Sequence, residues 1–136
     1  MSTATLSPYL TLDGNCKEAM EFYKSCMGGK LTMQTFGAAP MPSDEKMKDK
    51  IMHASLENGT LSFMASDSAI GSPVKGDNVN LSVAGDDEEG LKKMFHDLSA
   101  GGNVTMKLEK QFWGDTFGMF TDKFGIHWMF NISGKK

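Results

Sequence analysis

Apolar residues recur every three or four positions in two segments of the chain, which is the spacing of a helix that buries one face. The apolar positions are Cys16, Ala19, Met20, Tyr23 and Met27 in the first segment and Leu91, Met94, Phe95 and Leu98 in the second. Both segments end at a Gly-Gly pair, at residues 28–29 and 101–102. Because glycine tolerates the left-handed conformation that often follows a helix, each pair predicts a helix end.

The two predicted helices also begin at similar signals. Asn15 is followed three residues later by Glu18, and Asp86 is followed three residues later by Glu89. This is the spacing of a capping box, in which a short polar side chain and an acid accept hydrogen bonds from backbone N–H groups at the start of a helix. Asn15 and Asp86 are therefore the predicted N-caps.

The sequence around these helices repeats. The stretch GGKLTM (28–33) returns as GGNVTM (101–106), and LTLDGN (10–15) resembles LSVAGD (81–86). The offset grows from 71 (81 − 10) to 73 (101 − 28), which predicts a two-residue insertion within the second helix segment. Strand-like runs follow each glycine pair, so each half is predicted as strand, helix, strand, strand, strand.

This duplication predicts an α+β fold of tandem βαβββ modules, with mixed sheets and with helices on their outer faces. We expect one domain over residues 1–136, made of module 1 (1–67), a Gly-, Ser- and Pro-containing linker (68–76) and module 2 (77–136). One module of about 65 residues buries little core, so we expect the modules to pair and to leave a cleft between their concave sheet faces.

A hairpin is predicted in the first half, because Asn58-Gly59 between two β-patterned runs is typical of a two-residue type I′ turn. His53 then faces Met64 across the hairpin. Six side chains share the polar side of this hairpin: His53, Ser55, Glu57, Thr60, Ser62 and Met64. That side is either exposed to solvent or the wall of a polar pocket, in which His53 is the natural general base.

Composition and charge exclude several partners. A formal charge of −3 and a pI near 5.5 argue against nucleic acid and against an anionic membrane. The start MSTATLSPYL lacks the features of a signal peptide, and no apolar run approaches the roughly 20 residues of a membrane span, so we expect a cytoplasmic protein. Cys16 and Cys26 lie about 15 Å apart along a helix, which rules out a disulfide between them.

Four stretches carry a resemblance to a known family: GNCKEAMEFYKSCMGG (14–29), IMHASLENG (51–59), FMASD (63–67) and FWGDTFGMFTDKFGIHW (112–128). They resemble the PhnB-like family of the vicinal oxygen chelate superfamily, which includes glyoxalase I, bleomycin-resistance proteins and extradiol dioxygenases. The resemblance covers essentially the whole chain and implies the same duplicated βαβββ fold. PhnB-like proteins are often labelled 3-demethylubiquinone-9 3-methyltransferases.

Metal-using members of that superfamily place His, Glu or Gln on the inner faces of four strands. The resemblance carries these positions over to Pro8, Phe63, Asn78 (or Asn80 after a register slip) and Met129. Proline and phenylalanine cannot bind a cation, and asparagine and methionine are poor ligands for a hard or borderline metal. The three histidines form no ligand-spaced pair, and His96 falls on the exposed side of its helix. We therefore predict no metal.

The segment FWGDTF (112–117) is the most suggestive ligand contact. Its aromatic residues either form the rim of a cavity that binds a flat or apolar ligand, or fill the sheet interface. Trp128 is predicted to lie in the core. The ligand-binding candidates are His53, Phe63, Trp113, Asp115, Phe117 and Met129, and no catalytic residue is identified.

Three functions stay open. The first is a metal-free homodimer that binds a small organic molecule in an aromatic-lined cleft. The second is an enzyme of the same fold that acts on a quinone-like or phosphonate-like substrate, with His53 and Asp115 as acid–base candidates. The third is a structural dimer without a ligand. No glycine-rich loop leads from a strand into a helix, so an adenosyl cofactor has no support and we expect no cofactor.

Overall fold

The computed structural model describes residues 6–38, 45–59, 61–69 and 71–134. Within them the predicted order of strand, helix and three strands occurs twice. The elements are β1 (Tyr9–Leu12), α1 (Cys16–Met27), β2 (Lys30–Thr35), β3 (Ile51–Asn58), β4 (Leu61–Asp67), β5 (Leu81–Gly85), α2 (Glu88–Ser99), β6 (Asn103–Lys110), β7 (Thr116–Thr121) and β8 (His127–Ile132). A short 3-10 turn, Glu45–Met47, precedes β3.

Each half forms a mixed four-stranded sheet, in the orders β1-β4-β3-β2 and β5-β8-β7-β6. The pairs β1·β4 and β5·β8 are parallel, and the other neighbours are antiparallel. The predicted α+β class with tandem βαβββ modules is therefore confirmed. The chain divides into two compact units, unit 1 (Met1–Val74) and unit 2 (Lys75–Lys136).

In unit 1, α1 covers one face of the sheet. All five residues of its predicted apolar stripe are buried. The ring of Tyr23 meets the ring of Phe63 on β4 edge-on, with the ring centroids 5.5 Å apart. Such aromatic pairs contribute about 0.5–1.5 kcal/mol beyond the area that they bury.

In unit 2, α2 packs on its sheet through Leu91, Phe95 and Leu98, which are buried. The Phe95 ring meets the ring of Phe120 edge-on, with the centroids 4.8 Å apart. Trp128 is 2% exposed, which confirms its predicted place in the core. His96 lies on the exposed side of α2, as predicted.

The helix starts differ from the predicted capping boxes. Asn15 occupies the N-cap position of α1 but makes no side-chain cap hydrogen bond. The N–H of Cys16 instead donates to the carboxylate of Asp67 at 2.9 Å. In unit 2 the N-cap is Asp87, one residue beyond the predicted one, and its carboxylate accepts from the N–H of Gly90 at 3.2 Å.

α1 ends directly at its glycine pair, and α2 ends one residue before its pair. The first glycine of each pair has a positive φ, 74° in unit 1 and 79° in unit 2. The second glycine is required by a close approach. A Cβ on Gly29 would overlap the carbonyl oxygen of Glu57, and a Cβ on Gly102 would overlap that of Thr121. The repeated hexapeptide thus marks equivalent points, where the chain leaves a helix and passes against a hairpin strand.

The predicted two-residue insertion within the second helix is wrong, because α1 and α2 both contain 12 residues. The helices start 72 positions apart (88 − 16), between the offsets of 71 and 73. One extra residue therefore precedes α2. The other is Ala100, which lies between α2 and its glycine pair.

The β3–β4 hairpin has a different register from the predicted one. Asn58 pairs with Leu61, and Ser55 pairs with Met64, so the pairing is shifted by two residues from the predicted one. No non-glycine residue in the described part of the chain has a positive φ, so Asn58 does not adopt the type I′ conformation. Its side chain instead donates to the carbonyl oxygen of Met27 at the end of α1.

The register shift of two residues preserves the predicted division of the hairpin into two faces, because side chains alternate with a period of two. Ala54, Leu56 and Phe63 are buried on the apolar side. His53 is exposed on the polar side. Thr60, which was predicted on the polar side, lies outside the described residues.

Candidate functional site

The sheet of unit 1 has one face that α1 does not cover, here called open face 1. Cross-strand pairing assigns eleven residues to it: Tyr9, Thr11, Lys30, Thr32, Gln34, His53, Ser55, Glu57, Ser62, Met64 and Ser66. None of these side chains is buried. All but Met64 can donate or accept a hydrogen bond, so this face suits a polar ligand or solvent.

His53 contacts Tyr9 on open face 1. The Tyr9 hydroxyl lies 3.3 Å from Nδ1 of His53, and the ring centroids are 5.9 Å apart. If the hydroxyl donates to Nδ1, the proton of the neutral imidazole lies on Nε2, which would then be the atom available to a ligand. The predicted candidate His53 therefore lies on an accessible face and has a defined neighbour.

The sheet of unit 2 has a corresponding uncovered face, opposite α2, here called open face 2. Its residues are Ser82, Ala84, Asn103, Met106, Glu109, Phe117, Met119, Thr121, His127, Met129 and Asn131. None of these side chains is buried either. Two of the predicted candidates, Phe117 and Met129, lie on this face.

The loop between β6 and β7 presents a short series of aromatic rings. Residues 111–114 form a turn closed by a hydrogen bond from the Gly114 N–H to the Gln111 carbonyl oxygen at 3.0 Å, and Gly114 has a φ of 98°. Phe112 at the turn is 97% exposed, and Trp113 is 49% exposed. The Trp113 ring lies edge-on to Phe112 at 5.0 Å and to Phe117 at 6.1 Å between centroids.

Asp115 braces the base of this loop. One carboxylate oxygen accepts from the side-chain amide of Asn131 at 3.0 Å, and the other accepts from the N–H of Gly134 at 3.1 Å. Both oxygens are thus engaged by groups within unit 2. The geometry gives Asp115 a positioning role, holding the loop against β8.

His127 makes two hydrogen bonds through its ring. Its Nε2 lies 2.9 Å from the carbonyl oxygen of Gly76, and its Nδ1 lies 2.8 Å from the Thr121 hydroxyl. A carbonyl oxygen only accepts, so Nε2 carries a proton, and in the neutral ring the Thr121 hydroxyl donates to Nδ1. Both ring nitrogens of His127 are therefore occupied.

The four carried-over strand positions do not all fall on the open faces. Phe63 is 4% exposed and faces α1, on the opposite side of the sheet from His53. Asn78 and its alternative Asn80 precede β5, and Pro8 directly precedes β1, so none of them lies in the strand to which it was assigned. Met129 does lie on open face 2, opposite Met119.

The open-face side chains of β1, β4, β5 and β8 do not fit a divalent metal. They are Tyr9, Thr11, Ser62, Met64, Ser66, Ser82, Ala84, His127, Met129 and Asn131. Among them His127 alone is an ordinary ligand for such a cation, and its ring nitrogens are engaged. Across the described residues, no group of three or more His, Cys, Asp or Glu side chains could hold a metal ion.

The cysteines also lack the features of a nucleophile. Cys16 is fully buried, and this burial raises the pKa of its thiol to about 12, with the negative charge of Asp67 adding to the effect. A thiol with that pKa is almost entirely protonated at neutral pH, and the thiolate is the reactive form. Cys26 is partly exposed on α1, and its sulfur lies 3.9 Å from the Ser25 hydroxyl.

Sequence reasoning missed three features of the two units. Met106, Met119 and Met129 lie in register on three adjacent strands of open face 2, which only the strand pairing reveals. Tyr9 contacts His53 across 44 residues of sequence. The buried Asp122 accepts from the backbone N–H groups two and four residues later. An aspartate before a turn cluster is a local signal, so this last contact was accessible from the sequence.

Two consecutive βαβββ units, each with a helix on one sheet face and an open opposite face, define a protein of the vicinal oxygen chelate fold. The chain belongs to the Glyoxalase/Bleomycin resistance protein/Dioxygenase superfamily, whose sequence model matches residues 5–130. The superfamily expected from the resemblance is thereby confirmed. Neither α1 nor α2, the helices within the described ranges, has the length and hydropathy needed to cross a membrane.

Three relatives illustrate this membership. Protein YjdN of Escherichia coli is 32% identical over 138 residues, covering 93% of this chain and 94% of its own. The crystal structure of protein PA1353 from Pseudomonas aeruginosa is 40% identical, covers 98% of this chain and 100% of its own, and has a TM-score of 0.87. The PhnB protein of Bacillus cereus, described as a candidate 3-demethylubiquinone-9 3-methyltransferase, shares the fold at 23% identity and a TM-score of 0.77, covering 96% of this chain and 100% of its own.

Proposed function

We propose that this protein binds a small organic ligand through an aromatic-lined site and does so without a metal. The observation that supports this most directly is the series of rings Phe112, Trp113 and Phe117, which runs from an exposed loop onto open face 2. Open face 1, with His53, offers a separate set of polar groups. Phe63 takes no direct part in this proposal, because its ring packs against α1.

The exposure of the aromatic rings in the loop between β6 and β7 is unfavourable unless another group covers them. Phe112 and half of Trp113 are in contact with water, and burying a large apolar side chain is worth about 1.5–3 kcal/mol. The loop geometry is held by Asp115 and Gly114, so the Trp113 ring is ordered before a ligand arrives. Such preorganisation reduces the entropy lost on binding. A flat or apolar small molecule is the ligand that these rings suit best.

The metal-free part of the proposal rests on the chemistry of the side chains. On the open faces, strands β1, β4, β5 and β8 carry hydroxyl, thioether and amide groups, together with His127, which is already hydrogen-bonded. Divalent first-row cations select imidazole, carboxylate or thiolate ligands. We therefore assign recognition of the ligand to rings and hydrogen bonds alone. The proposal retains the cytoplasmic location and the homodimer expected from the sequence. A light-scattering mass of twice the chain would support the dimer.

Ligand recovery tests the proposal. The protein would be purified without added metal, and the small molecules released on denaturation would be identified by mass spectrometry. We expect an aromatic compound whose recovery falls in Trp113→Ala and is unchanged in Val79→Ala, which removes an exposed apolar side chain of the same unit. A stoichiometric transition metal would contradict the metal-free site. If no compound is recovered and no small aromatic raises the melting temperature, the protein is not a small-molecule binder.

The Tyr9–His53 contact supports a second candidate function, an enzyme of the same fold. A hydroxyl that fixes one imidazole nitrogen leaves the other oriented for proton transfer to a quinone-like or phosphonate-like substrate. Incubating the recovered ligand with the protein tests this. Turnover that is lost in His53→Asn, while binding is retained, would support catalysis. Turnover that is equal in both proteins would exclude His53 as the acid–base group.

A further inference from the structure

Three methionines lie side by side across open face 2. Met106 on β6 pairs with Met119 on β7, and Met119 pairs in turn with Met129 on β8. Directly opposed residues on neighbouring strands have Cβ atoms about 4.5–5.5 Å apart, so the row spans about 10 Å. Met119 and Met129 are partly exposed and Met106 is 44% exposed, so all three side chains are accessible from one side.

A row of methionines is an unusual choice for an uncovered sheet face. Strands favour β-branched and aromatic residues, and methionine brings neither stiffness nor a polar group. What it adds is a polarizable sulfur that makes favourable contacts with aromatic rings and a flexible chain that adapts to their shape.

The rings lie at one end of the row. On β7, Phe117 is two residues from Met119 and therefore lies on the same face. The centroid of the Trp113 ring lies 6.1 Å from that of the Phe117 ring. Glu109 on β6 pairs with Phe117, which places an acidic side chain beside these rings. At the other end of the row the paired residues are polar: Asn103, Thr121 and His127.

Charge separates the two ends further. Of the eleven residues that the register assigns to open face 2, Glu109 alone carries a formal charge. The face therefore combines aromatic rings, sulfur and one negative charge. Faces of aromatic rings attract cations, and the attraction acts within about 6 Å of the ring centroid.

We propose that open face 2 binds a planar aromatic cation of two or three fused rings. Its ring system lies over Met106, Met119 and Met129, and its positive charge lies near Glu109, Phe117 and Trp113. This inference rests on the proposed ligand-binding function and specifies the chemical class of the ligand. The three methionines favour a flat ring system, and the end of the face that carries Glu109 and the aromatic rings favours a positive charge.

Three probes with one ring system test this class: N-methylquinolinium, neutral quinoline and quinoline-6-sulfonate, titrated calorimetrically at neutral pH. We expect the cation to bind tightest and the anion weakest. Glu109→Gln should weaken the cation about threefold and leave quinoline unchanged. Met119→Leu keeps the apolar volume but removes the sulfur, and should weaken both the cation and quinoline about threefold.

Matched controls lie on α2, away from this face. Glu89→Gln removes an exposed acid, and Met94→Leu removes a partly exposed sulfur; neither should change any of the three affinities. If the anion binds as tightly as the cation, or if Glu109→Gln has no effect, the proposed preference for a cation is wrong, although binding of a small molecule is not contradicted. If Met119→Leu binds the cation and quinoline as tightly as the unaltered protein does, the proposed role of the methionine sulfurs is wrong. If none of the three probes binds, this inference fails, while ligand recovery still tests the proposed function separately.

Discussion

The carboxylate of Asp67, at the end of β4, accepts a hydrogen bond from the N–H of Cys16, the first residue of α1, at 2.9 Å. Its other oxygen accepts from the N–H of Ile51 at 2.8 Å. Asp67 is 4% exposed, so one buried carboxylate joins the starts of α1 and β3 to β4. This contact replaces the helix cap that Asn15 does not supply.

Asp67→Asn should therefore destabilise the protein. An amide presents one acceptor oxygen where the carboxylate presents two, so one buried N–H loses its partner. An unsatisfied buried group costs about 1–3 kcal/mol. Urea unfolding, followed by circular dichroism, measures the change in the free energy of unfolding. Asp49→Asn, at an exposed position of the same unit, is the control and should change it little. Equal stabilities of the two variants would show that the Asp67 carboxylate contributes nothing.

Gly29→Ala and Gly59→Ala separate two reasons for a glycine within unit 1. Gly59 has a φ of 58°, and a Cβ added there would meet nothing within 4 Å, so alanine costs only the left-handed conformation, about 1 kcal/mol. Gly29 combines a φ of 100° with an overlap on the Glu57 carbonyl. The free energy of unfolding should fall by at least about 2 kcal/mol there. Comparable losses in the two variants would show that the overlap relaxes without cost.

The fold was predictable because its signals are local and repeated. The helical stripe of α1, the glycine pairs and the strand runs each appear within about a dozen residues, and the duplication confirms one copy by the other. The Asp67–Cys16 contact was not predictable, since it joins residues 51 positions apart. Phe63 shows a second limit. A shift of one position moves a strand residue to the opposite face of the sheet. The inner-face position that the resemblance carried over to Phe63 therefore lies in the core, facing α1.

The candidate site was predicted only in part, for a similar reason. Trp113, Phe117 and Asp115 are neighbours in sequence, and their grouping could be recognised from a single stretch. The methionine row depends on the register of three strands, and β6 contains two irregularities against β7, between Val104 and Met106 and between Met106 and Glu109. No local pattern reports such bulges. The row of paired methionines therefore became visible only in the structure.

The two cysteines should differ sharply in reactivity. The pKa of the Cys16 thiol is raised to about 12 and the residue is fully buried, whereas Cys26 is partly exposed. Ellman's reagent, applied at neutral pH, should therefore modify one thiol per native chain and both thiols in urea. Cys26→Ser should abolish the native reaction, and Cys16→Ala should leave it unchanged. A rapid reaction in native Cys26→Ser would contradict the protection of Cys16.

Asp115 offers a test of positioning against direct ligand contact. Its carboxylate accepts from the Asn131 amide and from the Gly134 N–H, so it holds the loop that carries Trp113. Asp115→Asn retains one acceptor and should lower the free energy of unfolding by about 1 kcal/mol. Because Trp113 keeps its own contacts with Phe117, the affinity for an aromatic ligand should fall less than in Trp113→Ala. Calorimetric titration of both variants measures this order. A larger loss in Asp115→Asn, with stability unchanged, would instead identify Asp115 as a direct ligand contact.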